Sequence, residues 1–180
     1  MYGLVNKAVN QLVVSNFGDE AWEQILEKSG IEEDMFVSMD AYDDSITYNL
    51  VGAASEVLEL PAVTILETFG EYWISYTAEQ GYGAMLDMGG NTIGEFLSNL
   101  SNLHGRVAIN FPALTPPRFK VEIKADNQWL VHYYSEREGL APMMQGLLKG
   151  LGKRFNQELK IEPVEQRIHG AEHDSFLVTL

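Results

Sequence analysis

The chain has 180 residues, 46% of them hydrophobic, which is enough to bury a sizeable core in a single domain. Its net charge of −14 argues against nucleic acid or an anionic membrane as a partner, because both reward clustered lysine and arginine. The absence of cysteine excludes disulfides, thiolate ligation of a metal and thiol redox sensing within this sequence.

The first part of the chain predicts α-helices, because apolar residues recur there at helical spacing between capping and stop signals. Four helices are predicted before residue 81. The first runs from Leu4 and stops at Gly18, and the second runs from Glu20 to Ser29 and stops at Gly30. The third is capped by Asp43 or Asp44, and the fourth starts near Pro61. A short helical stretch, residues 84–88, follows between Gly81-Tyr82-Gly83 and Gly89-Gly90.

The next helix carries the first candidate functional residue. Thr92-Ile93-Gly94-Glu95 matches a capping box, which predicts a helix start. His104 lies four residues after Leu100 and seven after Leu97, so it shares their apolar face. From this spacing alone, His104 is either a core histidine or a metal ligand, and the core reading is the commoner one.

After Pro116-Pro117 the pattern changes to strands. Residues 119–123 alternate as a half-buried strand should, and a turn over 126–128 leads to a partner strand over 129–134. We predict a helix over 140–156 with Pro142 in its first turn, then a closing hairpin of strands 159–168 and 175–180. Because no βαβ alternation occurs, the β-β-α-β-β order predicts an α+β fold with a four-stranded antiparallel sheet.

The second candidate site lies at the end of the predicted 129–134 strand. Tyr133-Tyr134-Ser135-Glu136-Arg137 fits the pattern Tyr-x-Ser-x-Arg. If the strand continued to Arg137, then Tyr133, Ser135 and Arg137 would project from one face. Hydroxyls donate single hydrogen bonds and arginine donates in a fork, so this trio can hold carboxylates. The alternative is an ordinary strand end with Arg137 in a surface salt bridge.

Together these motifs resemble the haem nitric oxide/oxygen-binding (H-NOX) family, which includes the haem domain of soluble guanylate cyclase and stand-alone bacterial gas sensors. Besides His104 and Tyr-x-Ser-x-Arg, the resemblance includes residues 1–5, 115–118 and 170–174. It implies one haem-binding sensor domain over 1–180, with a helical subdomain at 1–60 and haem-binding helices plus the sheet at 61–180. The helical part is expected to pack on the sheet part with haem buried between them.

The resemblance also implies roles for particular residues. His104 would be the axial ligand of haem b, and Tyr133, Ser135 and Arg137 would bind its propionates. Pro117 would press on the porphyrin and distort it, with Leu100 packed on the same side. The distal pocket is expected to be apolar and to consist of Val5, Phe69, Trp73, Met143 and Leu147.

Gas selection follows from one departure from the family pattern. Family members that hold oxygen stably use a distal tyrosine, and Pro142 occupies its position here. Bound oxygen carries partial negative charge and gains from a donor, whereas nitric oxide and carbon monoxide depend far less on one. We therefore expect a sensor of nitric oxide and carbon monoxide without stable oxygen binding.

The expected function is signalling and not catalysis. No Ser/His/acid motif, phosphate loop or zinc signature is present, so no enzyme activity is expected. Because the sequence stops at Leu180 without an output region, we expect it to regulate a partner in trans, either a histidine kinase or a diguanylate cyclase. The alternative is a haem-free regulatory domain of related fold that binds another small molecule.

Three further histidines and an acidic surface complete the candidates. His132 lies in a predicted strand, and His169 and His173 lie in a predicted turn, where exposure or local bonding is the default. Acidic runs at 19–20, 32–34 and 43–44 indicate either a solvated surface or a patch for a basic partner. Without an apolar run of ~18 residues or a signal-peptide pattern, we expect a cytoplasmic protein without a membrane partner.

Overall fold

The computed structural model describes residues 1–32 and 35–180; Glu33 and Asp34, part of one predicted acidic run, lie outside the described residues. The helices are α1 Gly3–Phe17, α2 Asp19–Ser29, α3 Asp44–Val57, α4 Ala62–Thr77, α5 Gly83–Asp87, α6 Ile93–Asn110 and α7 Ala141–Arg154. The strands are β1 Arg118–Ala125, β2 Gln128–Tyr134, β3 Lys160–Glu165 and β4 Asp174–Thr179. The chain divides into two compact units, Met1–Phe69 and Gly70–Leu180, and the predicted subdomain boundary at 60/61 stays a prediction.

The first unit consists of helices that end and begin where the sequence predicts. Gly18 stops α1, and Gly30 adopts the left-handed conformation that ends α2. Asp43 is the residue that caps α3, because its carboxylate accepts a hydrogen bond from the Ser45 backbone N–H at 2.8 Å. Buried apolar residues from all three helices, among them Ile25 and Leu50, form the interior.

A buried polar pair and a glycine contact fix the start of the chain within this unit. The Thr47 hydroxyl donates to the Asn6 side-chain oxygen at 2.6 Å, which links α3 to α1. A side chain at Gly3 would meet the Val37 carbonyl oxygen at 2.1 Å, so only glycine permits this approach. These contacts explain why the first residues are held and not frayed.

The second unit begins within α4, which passes through a π-helical turn, Ala78–Tyr82, into α5. Gly81 has a φ of 91° there, which accounts for the predicted break. Thr92 caps α6 as predicted, since its hydroxyl accepts from the Glu95 N–H. The returning arm differs from the capping box: Glu95 accepts from the Asn91 N–H at 2.7 Å and not from Thr92.

The four strands form one antiparallel sheet in the order β1-β2-β4-β3. Alternate residues of β2, namely Trp129, Val131 and Tyr133, are buried, and they join α6 and α7 in one apolar core. The sheet therefore has one face covered by helices and one face that is more open. The predicted α+β class with a four-stranded antiparallel sheet is confirmed.

The predicted start of β2 and the predicted end of β3 are wrong. The turn between β1 and β2 contains only Asp126 and Asn127, with Asn127 at a φ of 59°. Strand β3 ends at Glu165, and a 3-10 turn over Arg167–His169 takes the place of its predicted last residues. Strand β2 ends at Tyr134, as predicted, because β1 and β4 offer ladder partners no further than that residue.

Two glycines bring α4 and α7 close together within the second unit. An added Cβ at Gly70 would lie 2.1 Å from the Met143 carbonyl oxygen, and one at Gly150 would lie 2.6 Å from the Glu71 carbonyl oxygen. Because both obstacles are backbone atoms, neither can rotate away. These two helical glycines therefore allow the close approach of the neighbouring helix backbone.

Among the described residues, no single helix combines the length and apolar character of a membrane span. One bent pair, Asp44–Val57 with Ala62–Asp87, passes by length and composition only when its two segments are counted together.

Replacing Gly70 by alanine should destabilise the protein, because the α4 and α7 backbones must separate to admit the methyl group. We expect a loss of about 1–3 kcal/mol in the free energy of unfolding, measured by urea denaturation. Gly52→Ala is the matched control: it is also helical but has no atom within 4 Å of the added methyl. It should gain up to about 1 kcal/mol, and equal effects of the two substitutions would contradict the close-packing explanation.

Candidate functional site around His104

His104 lies on the inner face of α6, one helical turn after the buried Leu100. Its ring Nδ1 lies 2.9 Å from the Leu100 carbonyl oxygen, and since a carbonyl can only accept, Nδ1 carries the proton. Burial lowers the pKa of His104, and the bond to Leu100 opposes this shift without reversing it. The ring is therefore neutral near pH 7, with the lone pair of Nε2 left for a metal.

Phe119 connects this imidazole to the sheet. The ring centroids of His104 and Phe119 are 5.0 Å apart, and those of Phe119 and Tyr133 are 5.6 Å apart. Phe119 pairs with Tyr133 across the β1–β2 ladder, and its carbonyl accepts from the Ser101 hydroxyl of α6 at 2.9 Å. The structure thus brings the two predicted motifs together through one buried aromatic residue.

The Tyr-x-Ser-x-Arg residues lie together, but not by the predicted strand parity. Only Tyr133 belongs to β2, while Ser135 and Arg137 lie in the bend that follows. The bend forms because the Ser135 hydroxyl accepts from the Arg137 N–H at 3.1 Å. Ser135 and Arg137 therefore do not project from the strand face of Tyr133 by alternation, and that prediction is wrong.

The electrostatics of the trio suit an anion. Burial raises the pKa of the Tyr133 hydroxyl, and hydrogen bonding to Ser135 and the charge of Arg137 only partly oppose this. Tyr133 is therefore a protonated donor near pH 7. The Arg137 guanidinium, half-buried at the end of the bend, donates through Nη1 to the Thr115 carbonyl at 3.0 Å. This bond holds Arg137 beside the segment that carries Pro117, which is half-buried and directly precedes β1.

Arg167 is a residue that sequence reasoning missed. Its Nη1 donates to the carbonyl oxygens of Ser135 at 3.0 Å and Arg137 at 3.2 Å, and its Nη2 contacts the Glu138 carboxylate at 3.3 Å. One guanidinium thus holds the whole bend from the β3–β4 connection. Its own backbone N–H donates to the buried Asp174 carboxylate at 2.9 Å, which fixes that connection.

The sequence carried a signal for Phe119 but none for Arg167. Alternation marks Phe119 as buried, but it pairs with Tyr133 only because a bulge between Ile123 and Ala125 shifts the register by one residue from the one that the turn sets. Arg167 bonds to residues about 30 positions away through its side chain and their carbonyls. No local pattern records such a contact.

The predicted distal residues fall in different places. Trp73 on α4 and Met143 and Leu147 on α7 are half-buried in the second unit, and the latter two flank the site where α7 approaches Gly70. Val5 is half-buried and Phe69 is buried, and both belong to the first unit. Pro142 lies in the first turn of α7, as predicted.

Haem-binding domains are the class of protein that this fold and site define, since a neutral imidazole and a Tyr/Ser/Arg group suited to an anion both lie near one aromatic residue. The model of the family described as Haem-NO-binding matches residues 2–163. The chain therefore belongs to this H-NOX family, whose domains bind haem and sense gases.

Relatives and solved structures agree with this assignment. Soluble guanylate cyclase gcy-32 of Caenorhabditis elegans is 32% identical over 157 residues, which cover 86% of this chain and 23% of the relative. The chain thus spans about a quarter of that relative's length. An H-NOX protein from K. algicida is 25% identical, with a TM-score of 0.88 over 99% of this chain and 96% of that chain. The fold also matches an H-NOX protein from S. oneidensis in the Fe(II)NO ligation state, 22% identical, with a TM-score of 0.91 over 99% and 98% of the two chains.

Replacing Arg167 by alanine should loosen the bend at residues 135–138, because two backbone carbonyls lose their shared donor. Hydrogen exchange of a peptide covering this bend should become at least about tenfold faster, the change expected for a loss near 1.4 kcal/mol in local stability. Arg154→Ala, which removes an equal charge from the ion pair with Asp87, is the control. Unchanged hydrogen exchange in the Arg167 variant would show that the bend is stable without the Arg167 guanidinium.

Proposed function

We propose that this protein is a haem-based sensor of nitric oxide, and of carbon monoxide as a second ligand, that regulates a signalling partner in trans. The single observation that carries the proposal is the state of His104: neutral, with Nδ1 bound to the Leu100 carbonyl and Nε2 left to act as axial ligand of haem b. When bound, haem supplies a ferrous iron that takes up a diatomic gas.

The chain's own residues orient that ligand and hold the acidic edge of the cofactor. The Leu100 carbonyl fixes the tautomer of His104 and strengthens the donor character of its second nitrogen. Tyr133, Ser135 and Arg137 provide two hydroxyls and a guanidinium for the propionates. A haem carboxylate would add a charge-assisted partner to Arg137 in a chain whose net charge is otherwise −14.

The choice of gas rests on the start of α7 and on its neighbour α4. Pro142, Met143 and Leu147 offer no hydroxyl on α7, so these positions supply no donor to a gas with partial negative charge. Nitric oxide and carbon monoxide need no such donor, whereas stable oxygen binding does. Val5, Phe69 and Trp73 as distal contacts, and Pro117 as the residue that bends the porphyrin, remain predictions from the resemblance.

The output requires a second protein. We propose a histidine kinase or a diguanylate cyclase, as the family resemblance implies. His104 suits this role because it contacts both α6, through the Leu100 carbonyl, and β1, through Phe119. A movement of its Nε2 would therefore shift a helix and a strand together. A sensor requires such an element with two arrangements, one of them favoured by the ligand.

The absorption spectrum tests the proposed function. The reduced protein, purified with haem, should show a Soret band that shifts with nitric oxide and with carbon monoxide but does not hold a stable oxygen complex in air. His104→Ala should lose the wild-type reduced spectrum, while His169→Ala, an exposed histidine, should keep it. A protein that takes up no haem after reconstitution would instead support a haem-free regulator, and a persistent oxygen complex would contradict the apolar gas site.

Replacing Arg137 by alanine should lower haem retention without unfolding the chain, because a propionate would lose its charged partner. The measurement is the rate of haem transfer to apomyoglobin, with circular dichroism to establish folding. We expect transfer to be about tenfold faster or more, as for loss of a hydrogen bond to a charged group. Arg154→Ala removes the same charge elsewhere and should leave the rate unchanged; equal retention in both variants would exclude Arg137 from the propionate site.

A further inference from the structure

A second group of metal-binding side chains lies on the open face of the sheet, away from His104. His132 of β2 pairs in register with Ser175 of β4, and Ser175 pairs with Glu165 of β3, so these three side chains form a row across neighbouring strands. The neighbouring Tyr133 faces the opposite, helix-covered side with the core. His173, directly before β4, completes the group.

The possible ligand atoms converge to coordination distances. His132 Nδ1 and His173 Nε2 are 2.7 Å apart, His173 Nε2 and a Glu165 carboxylate oxygen 3.2 Å, and His132 Nδ1 and the same oxygen 3.9 Å. Donors around a tetrahedral zinc ion lie about 3.3–3.4 Å from one another, given Zn–N bonds of about 2.0–2.1 Å. The three measured separations bracket that value. Within residues 1–32 and 35–180, no other group of three such side chains converges in this way.

Without a metal, each of the two imidazoles has one buried nitrogen that lacks a hydrogen-bond partner. Only 12% of each side chain is exposed, and the outer nitrogens, His132 Nε2 and His173 Nδ1, are buried without a hydrogen-bond partner. The inner nitrogens face each other, so one of them must carry the proton of a shared bond. A metal would use both inner lone pairs after that proton moves to the outer nitrogen of the same ring.

The surroundings orient these side chains as outer contacts of a metal site do. The Ser175 hydroxyl donates to the Glu165 oxygen that faces both histidines, at 3.1 Å. The Tyr134 ring stacks on His173 with centroids 4.3 Å apart and planes at 18°. A Glu122 oxygen lies 3.6 Å from His132 Nε2, just beyond hydrogen-bond distance, so a small movement would let it accept the N–H that a metal-bound imidazole presents.

We propose that His132, His173 and Glu165 form a second metal site, separate from the haem site, that binds a divalent ion of the zinc type. Two imidazoles and one carboxylate suit zinc better than calcium or magnesium, which prefer oxygen ligands. Three protein ligands leave one tetrahedral position for water, and the half-exposed Glu165 keeps the site open to solvent.

Zinc titration of the 180-residue haem-loaded protein, stripped of other metals with a chelator, tests the proposal. Calorimetry should show one zinc bound per chain, and mass spectrometry of the dialysed protein should find zinc in addition to haem iron. His173→Ala and Glu165→Gln should weaken binding by more than about a hundredfold, and Glu122→Gln by about 10- to 100-fold. His169→Ala is the matched control, because it removes an exposed histidine from the same β3–β4 connection.

The outcomes separate the alternatives. Loss of zinc in the His173 and Glu165 variants, with retention in the His169 variant and with haem content unchanged in all of them, supports the site. Absence of zinc binding by the wild-type chain overturns it, as does equal binding in all variants. Because Glu165→Gln keeps the shape of the side chain, it decides the question even if His173→Ala does not fold.

Discussion

The hydrogen bond from the His104 ring to the Leu100 carbonyl is the constraint on which the rest of the site depends. The carbonyl lies one turn earlier on the same helix, so α6 itself supplies the partner once the helix forms. The bond selects one tautomer and leaves the other nitrogen with its lone pair. The ring and the carbonyl belong to the same helix, so a rotation of α6 would move the imidazole with it. The position of His104 Nε2 therefore depends directly on the orientation of α6.

The sheet extends this constraint to the Tyr-x-Ser-x-Arg residues. Phe119 lies next to both His104 and Tyr133, and the β1–β2 ladder fixes the positions of Phe119 and Tyr133. The ladder stops at the end of β2, and side-chain hydrogen bonds hold the residues that follow. The Ser135 hydroxyl stabilises the bend, and Arg167 binds the carbonyls of the bend. Backbone hydrogen bonds of the β1–β2 ladder therefore position Phe119 and Tyr133, whereas the guanidinium groups of Arg137 and Arg167 position the bend after β2.

What the sequence could predict follows the range of the interactions. The caps at Asp43 and Thr92 and the burial of the α6 face depend on neighbours within a few positions, and they were confirmed. The placement of Ser135 and Arg137 by strand parity was wrong, because alternation can be extended past the last ladder partner without any local sign. Arg167 could not be found, since its acceptors are carbonyls that every residue has. The roles assigned to His104 and Arg137 came from the resemblance, because spacing alone favoured a core histidine and a surface salt bridge.

The histidines show how the partner of an imidazole decides its chemistry. His104 has a backbone carbonyl as partner and offers one lone pair, which would suit a metal that arrives already held by a cofactor, as haem iron does. His132 and His173 have each other and Glu165, and together they offer three donors, which suits an ion that arrives without ligands other than water. In the sequence each is a single histidine among apolar or turn residues. The difference arises only when the sheet places two of them side by side on one face and leaves the third on the opposite side, against Phe119.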